Sequence, residues 1–172
     1  NKNNVLTDFL RTGTYDARRT FYKTTSPSMD ILISSNLERL LYHVSGSSEK
    51  VAGWMQELSA TGKYTVDAET LAKIQQSFAA GYADDADGAA EIKARFDGDH
   101  YLCDTHTAVA FRVAETRRTD APMVVLSTAS PFKFPRDVLT AGRGGPRQRL
   151  CRHGRANRRD RCRGSRLAAR AG

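Results

Sequence analysis

Cysteine, tryptophan and histidine are scarce in this chain of 172 residues, which holds three, one and four of them. Two of the cysteines, Cys151 and Cys162, lie near the C-terminal end, so Cys103 stands alone before them. That excludes a disulfide framework and fits a reducing compartment, expected to be the cytoplasm. So few histidines and one cysteine leave no metal-ligand spacing, and no metal site is expected. Asp85-Ala86-Asp87-Gly88 invites a calcium-loop reading, but the loop needs acids where Ala83 and Ala94 stand, so it reads as an acidic helix start. No apolar run approaches the roughly 18 residues of a membrane span, so no membrane partner is expected. The opening Asn1-Lys2-Asn3-Asn4 lacks a signal-peptide pattern and an initiator Met, so the chain reads as starting inside a longer protein.

Charge is present in quantity, and its distribution matters more than its sum. The formal net charge is +8. Eleven Arg, no Lys and one Asp fall between Gly142 and Gly172, so that stretch carries roughly +10 and the rest is mildly acidic. The basic character therefore belongs to the tail, and no nucleic-acid partner is expected for residues 1–141. Residues 142–172 have no apolar periodicity and read as a disordered arm, as a nucleic-acid-binding arm, or as an out-of-frame translation of GC-rich coding sequence. The lack of Lys, against seven Lys among residues 1–141, favours the last. A nucleic-acid-binding protein acting through this tail is the alternative function.

Residues 1–141 alternate helices with short apolar runs, which points to an α/β fold. Residues 4–11 read as a helix ended by Gly13, and residues 20–34 mix strand and loop signals around Pro27. Ser35-Asn36-Leu37-Glu38 has a capping-box pattern before Leu37, Leu40, Leu41 and Val44, with Gly46 as the stop. Val51, Trp54, Met55 and Leu58 form one helical face ended by Gly62, and Lys63–Val66 reads as a strand. Asp67 caps a helix that buries Leu71, Ile74 and Phe78. Further helices are expected over 87–97, closed by Gly98, from Asp104 to about Arg118, and over 136–141. Met123–Ser127 reads as a buried strand, which puts Thr128 at its C-terminal end, where α/β sheets hold ligands.

Four segments, in order and at their spacing, carry a resemblance. They are NKNNVLTDF (residues 1–9), TTSPSMDILISSNLERLLY (24–42), YLCDTHTAVAF (101–111) and LSTASPFKFP (126–135). Together they resemble the C-terminal part of threonine synthase, over about residues 1–140. The resemblance implies the two-lobed α/β fold of type II pyridoxal-phosphate enzymes. It implies pyridoxal phosphate as cofactor and a carbon–oxygen lyase acting on O-phospho-L-homoserine, which with water gives threonine and phosphate in threonine biosynthesis. The lysine that holds the cofactor as a Schiff base lies upstream of the matching region, so no catalytic residue is expected here, and the chain alone is expected to be an inactive piece.

The resemblance also assigns candidate residues. Thr128 matches the hydroxyl that meets the cofactor's ring nitrogen, and as a neutral partner it moderates the ring's electron-sink strength. The other reading is a threonine that closes a strand end. Ser130 and its neighbour Ser127 read as substrate or cofactor contacts or as turn hydroxyls. Lys133 reads as a counter-charge for the substrate phosphate or as a solvated lysine. Many family members carry His-Pro-Ala-Lys-Phe where this chain has Ser130-Pro131-Phe132-Lys133-Phe134, so a role tied to that histidine is absent. His106, behind the cap Asp104, faces the substrate cleft or packs as a structural residue. The Asn1, Asn3 and Asn4 amides read as substrate contacts or turn formers, and Ser28-Met29-Asp30 has no role that residue chemistry alone assigns.

Overall fold

The computed structural model of the chain describes residues 1–142. Helix α1 (Val5–Thr12) leads into strand β1 (Thr14–Asp16), and helices α2 (Ser35–Ser45) and α3 (Ser48–Thr61) follow. Strand β2 (Lys63–Thr65) returns antiparallel to β1, with Tyr15 opposite Tyr64. Helices α4 (Ala68–Ser77), α5 (Asp85–Asp99), α6 (Thr105–Glu115) and α7 (Pro135–Ala141) complete the order, with 3-10 turns at Pro27–Met29 and Pro131–Lys133. The described part is mostly helical with one small sheet.

Apolar periodicity and glycine stops explain the first half. Gly13, Gly46 and Gly62 each end a helix in the left-handed conformation. Gly62 is constrained twice, because its φ is 78° and a Cβ there would stand 2.6 Å from Arg18 Cγ. The helices and the strand pair enclose Val5, Phe9, Tyr15, Leu37, Leu41, Trp54, Tyr64 and Ile74. Tyr15 and Tyr64 stack at 5.3 Å, and Phe9 meets Tyr15 edge-on at 5.9 Å, favoured geometries for aromatic quadrupoles. The buried Tyr15 hydroxyl donates to the Leu32 carbonyl at 2.8 Å and accepts the Ser34 amide at 3.0 Å, so it carries no unpaired polar atom into the core.

A second, smaller cluster joins α5, α6 and α7 through Ile92, Cys103, Ala108 and Val138. Burial pushes the Cys103 thiol up to about 12, which keeps it a neutral packing group. Arg95 of α5 spans the top of this cluster. It pairs with Glu91 and Asp99 on its own helix and with Glu115 of α6, and its guanidinium lies 4.9 Å from the centre of the Phe111 ring. These contacts fix α5 against α6.

Several expectations from sequence are corrected. The Ser35/Glu38 capping box does not form, because the N-cap position falls one residue earlier at Ser34, which makes no side-chain cap bond and whose amide donates to the Tyr15 hydroxyl. A capping box does form on α5, where Asp84 and Asp87 bond each other's amides. That starts the helix at Asp85 rather than 87; at its other end the helix runs past Gly98 to Asp99, with His100 as the C-cap at a φ of 56°. Phe78 is 47% exposed, since it leaves α4 in an extended conformation instead of continuing the buried face. Helix α6 stops at Glu115, short of Arg118, where the Thr116 and Arg117 amides turn back to Val113 and Ala114. Met123–Ser127 forms no strand and is largely exposed: apolar content alone supplies no ladder, and among the described residues the only strands pair with each other. Residues 20–34 likewise hold no strand. The arginine-rich stretch from Arg143 onward, read from sequence as a disordered or out-of-frame tail, lies outside the described residues.

Candidate functional site

The N-terminus of α6 carries a run of four consecutive buried polar residues. Asp104, Thr105, His106 and Thr107 are all buried. Asp104 is the N-cap, and its Oδ1 accepts the amides of His106 at 2.8 Å and Thr107 at 3.3 Å. The Thr107 hydroxyl donates to Oδ2 at 2.5 Å, and His106 Nδ1 stands 3.1 Å from Oδ1. Burial alone would raise the Asp104 carboxyl. The hydrogen bonds from Thr107 and from the two amides outweigh it and hold the group below its ordinary value, as a carboxylate.

Two loops reach this cap from different parts of the chain. One is the loop around the Pro27–Met29 turn, whose Ser28 amide donates to His106 Nε2 at 3.0 Å. The same loop is tied at Asp30. There Oδ1 accepts from Asn1 Nδ2 (2.8 Å), Asn3 Nδ2 (3.0 Å) and the Thr24 hydroxyl (2.7 Å), and Oδ2 accepts the Thr24 amide. Asn3 closes the arrangement by bonding the Tyr22 carbonyl and accepting the Tyr22 amide. The asparagine turn and the Ser-Met-Asp loop therefore form one buried polar clamp.

The second loop is residues 127–134. The Ser127 hydroxyl stands 3.4 Å from the Thr107 hydroxyl, which links this loop to Asp104. Ser130 caps the Pro131–Lys133 turn by accepting the Phe132 amide. The Phe134 ring lies 4.7 Å from the His106 ring, and Lys133 Nζ stands 5.8 Å from the centre of Phe134.

The candidate residues fall around this junction. Thr128, Ser130 and Lys133 are exposed on the 127–134 loop, and His106 is buried behind it with both ring nitrogens facing protein groups. The Thr128 hydroxyl meets no partner among the described residues. Asp30 is the functional-looking side chain that sequence reasoning left without a role. Its partners lie 6 to 29 positions away, and no local pattern announces them. Beside the cap, a cleft of about 590 Å³ opens between α5 and α7, lined by Thr25, Asp85, Lys93, Thr105, Asp137 and Thr140 among others.

This arrangement has counterparts in solved structures. The described fold superposes on a pyridoxal-phosphate-bound threonine synthase from Brucella melitensis with a TM-score of 0.78 and 42% identity, covering 82% of this chain and 31% of that one. The chain matches a C-terminal part of threonine synthase. The yeast threonine synthase structure matches with a TM-score of 0.76 and 32% identity over 81% of this chain and 31% of that one. Among sequences, the threonine synthase of Pseudomonas aeruginosa is 37% identical over 147 residues, 84% of this chain and 31% of its own length. Residues 107–162 match the family described as threonine synthase, C-terminal. That match begins in the first turn of α6, includes the whole 127–134 loop, and continues beyond the last described residue. The chain spans about a third of the length of these threonine synthases and 19% of the human threonine synthase-like 1 protein. It corresponds to a C-terminal part of the family's α/β fold.

Proposed function

We propose that this chain supplies the C-terminal face of a pyridoxal-phosphate-dependent threonine synthase, a carbon–oxygen lyase that converts O-phospho-L-homoserine and water into L-threonine and phosphate. The observation that carries the reading is the 127–134 loop. It presents an unpartnered hydroxyl, a second hydroxyl and an ammonium to solvent, while Ser127 and Phe134 fasten its two ends to the buried cap of α6.

The donor set fits the cofactor. A neutral, unpartnered hydroxyl such as that of Thr128 suits a ring nitrogen that is to stay unprotonated, where a carboxylate would hold a proton on it. Thr128 would hold the ring at this end. When bound, pyridoxal phosphate supplies the electron sink for removal of the substrate's α-proton. The remaining work of this chain is binding and orientation. Lys133 offers a positive charge and Ser130 a hydroxyl to the substrate phosphate, and a charged hydrogen bond of this kind strengthens as phosphate accumulates charge on leaving. The buried Asp104–Thr107 pair anchors the 127–134 loop that carries these groups, and the Asp30 clamp holds the Ser28 loop beside it.

The test uses a Brucella melitensis threonine synthase in which the matching segment is replaced by residues 1–142 of this chain. Thr128→Ala in this grafted enzyme is expected to weaken pyridoxal-phosphate affinity about tenfold, the worth of one hydrogen bond, read by cofactor fluorescence. Lys133→Ala is expected to raise KM for O-phosphohomoserine by at least about tenfold. Unchanged values in both folded variants would refute the assignment of the loop.

A further inference from the structure

His106 is the side chain at which three separately placed segments meet. Its own helix presents Asp104 to one edge of the ring, with Oδ1 3.1 Å from Nδ1. The Ser26–Asp30 loop presents the Ser28 amide to the other edge, 3.0 Å from Nε2. The 127–134 loop lays Phe134 against the ring at 4.7 Å. His106 is 7% exposed, and each ring nitrogen faces a protein group.

These contacts fix the protonation of the ring. A backbone amide only donates, so Nε2 must carry its lone pair. The ring proton then sits on Nδ1, where it is donated to the Asp104 carboxylate. A histidine that merely filled space would need neither edge defined. This one has a required acceptor on one edge and a required donor on the other, each matched to a different segment of the chain.

We infer that His106 is a positioning residue. Held by Asp104 as the neutral Nδ1–H tautomer, it fixes the Ser28 loop and the Phe134 loop at one mutual spacing. Resting on the function proposed above, it thereby sets the place at which Ser130 and Lys133 meet the substrate phosphate. The role is exerted through Ser28 and Phe134 and requires no contact with substrate.

Two substitutions separate the edges. In His106→Asn the side-chain amide can still donate toward Asp104 but no longer reaches Ser28. In His106→Gln a carbonyl oxygen can reach the position of Nε2 and accept the Ser28 amide. On the full 172-residue chain, a long-range proton–nitrogen spectrum of the histidines should show one ring in the Nδ1–H form whose signals vanish in both variants. Hydrogen exchange at the Ser28 amide should accelerate about tenfold in His106→Asn and stay within about threefold in His106→Gln, as expected for one hydrogen bond lost or kept. An Nε2–H tautomer, or equal Ser28 exchange in the wild-type and His106→Asn chains, would overturn the clamp. In the grafted enzyme, His106→Asn should raise KM for O-phosphohomoserine about tenfold with kcat changed less than about threefold, and His106→Gln should restore it. A folded His106→Asn graft with lost Ser28 protection and unchanged KM would overturn the positioning role. An unsubstituted graft without turnover would remove that role together with the proposed function, while the spectrum and the exchange rates would still decide the clamp.

Discussion

Four donors converge on the two oxygens of Asp104: two backbone amides, the Thr107 hydroxyl and the Nδ1–H of His106. A carboxylate enclosed without them would be neutralised, since burying an unpaired charge costs several kcal/mol. Its pKa in the folded chain is lowered from the ordinary value. The unfolded chain therefore binds this proton more readily, so the contribution of Asp104 is present in full above the unfolded value of about 4 and is lost as pH falls through the folded value. Asp104→Ala should cost about 2–3 kcal/mol near neutral pH, the worth of a cap plus buried partners left unpaired, and should flatten the acid limb of the stability profile. Urea titrations between about pH 3 and about pH 7 check both. A variant as stable as the wild-type chain across that range would show that the cap carries no net stability.

At the scale of elements, caps decide where helices begin, and only some were legible. Asp67 accepts the Thr70 amide at 2.9 Å, and with Lys50 nearby its carboxyl is held at about 2, the Thr70 amide contributing most. Asp67→Ala should destabilise the chain by about 1 kcal/mol, whereas Ser35→Ala should stay within about 0.5 kcal/mol because Ser35 makes no cap bond. Parallel thermal melts of the two variants read the contrast, and equal losses would contradict the assigned caps. The caps Asp67 and Asp104 and the stops Gly13, Gly46 and Gly62 were readable because each acts on residues within a turn of itself. The start of α2 was not, because the phenol of Tyr15, nineteen positions from Ser34, fixes it. The same distance effect hid the Asp30 clamp and the two loops that meet at His106. Thr128, Ser130 and Lys133 were named through the family resemblance, and nothing in local spacing could have placed them on one exposed loop. Met123–Ser127 failed for a different reason: a strand is defined by its neighbour, and its own residues report only that they are apolar.

On the scale of the whole molecule, the described residues hold two apolar clusters, and their three most exposed large apolar side chains lie together between α6 and α7. Val124, Leu126 and Phe132 are 80%, 74% and 72% exposed, in the segment between α6 and α7 that also carries Thr128 and Ser130. Exposed apolar groups concentrated in one segment mark a surface that another body of protein covers. The chain spans about a third of the threonine synthases it matches, so the matching relatives have further protein available for that purpose. The 172-residue chain alone should therefore bind a hydrophobic dye such as ANS in its native state, and Leu126→Ser with Phe132→Ser should reduce the signal. A native chain with no dye fluorescence would mean that this stretch is covered by residues of its own. The most direct test of the functional account is phosphate release by the grafted enzyme given O-phospho-L-homoserine and pyridoxal phosphate. The account predicts phosphate and threonine in equal amounts. A folded graft that binds the cofactor but releases no phosphate would contradict it.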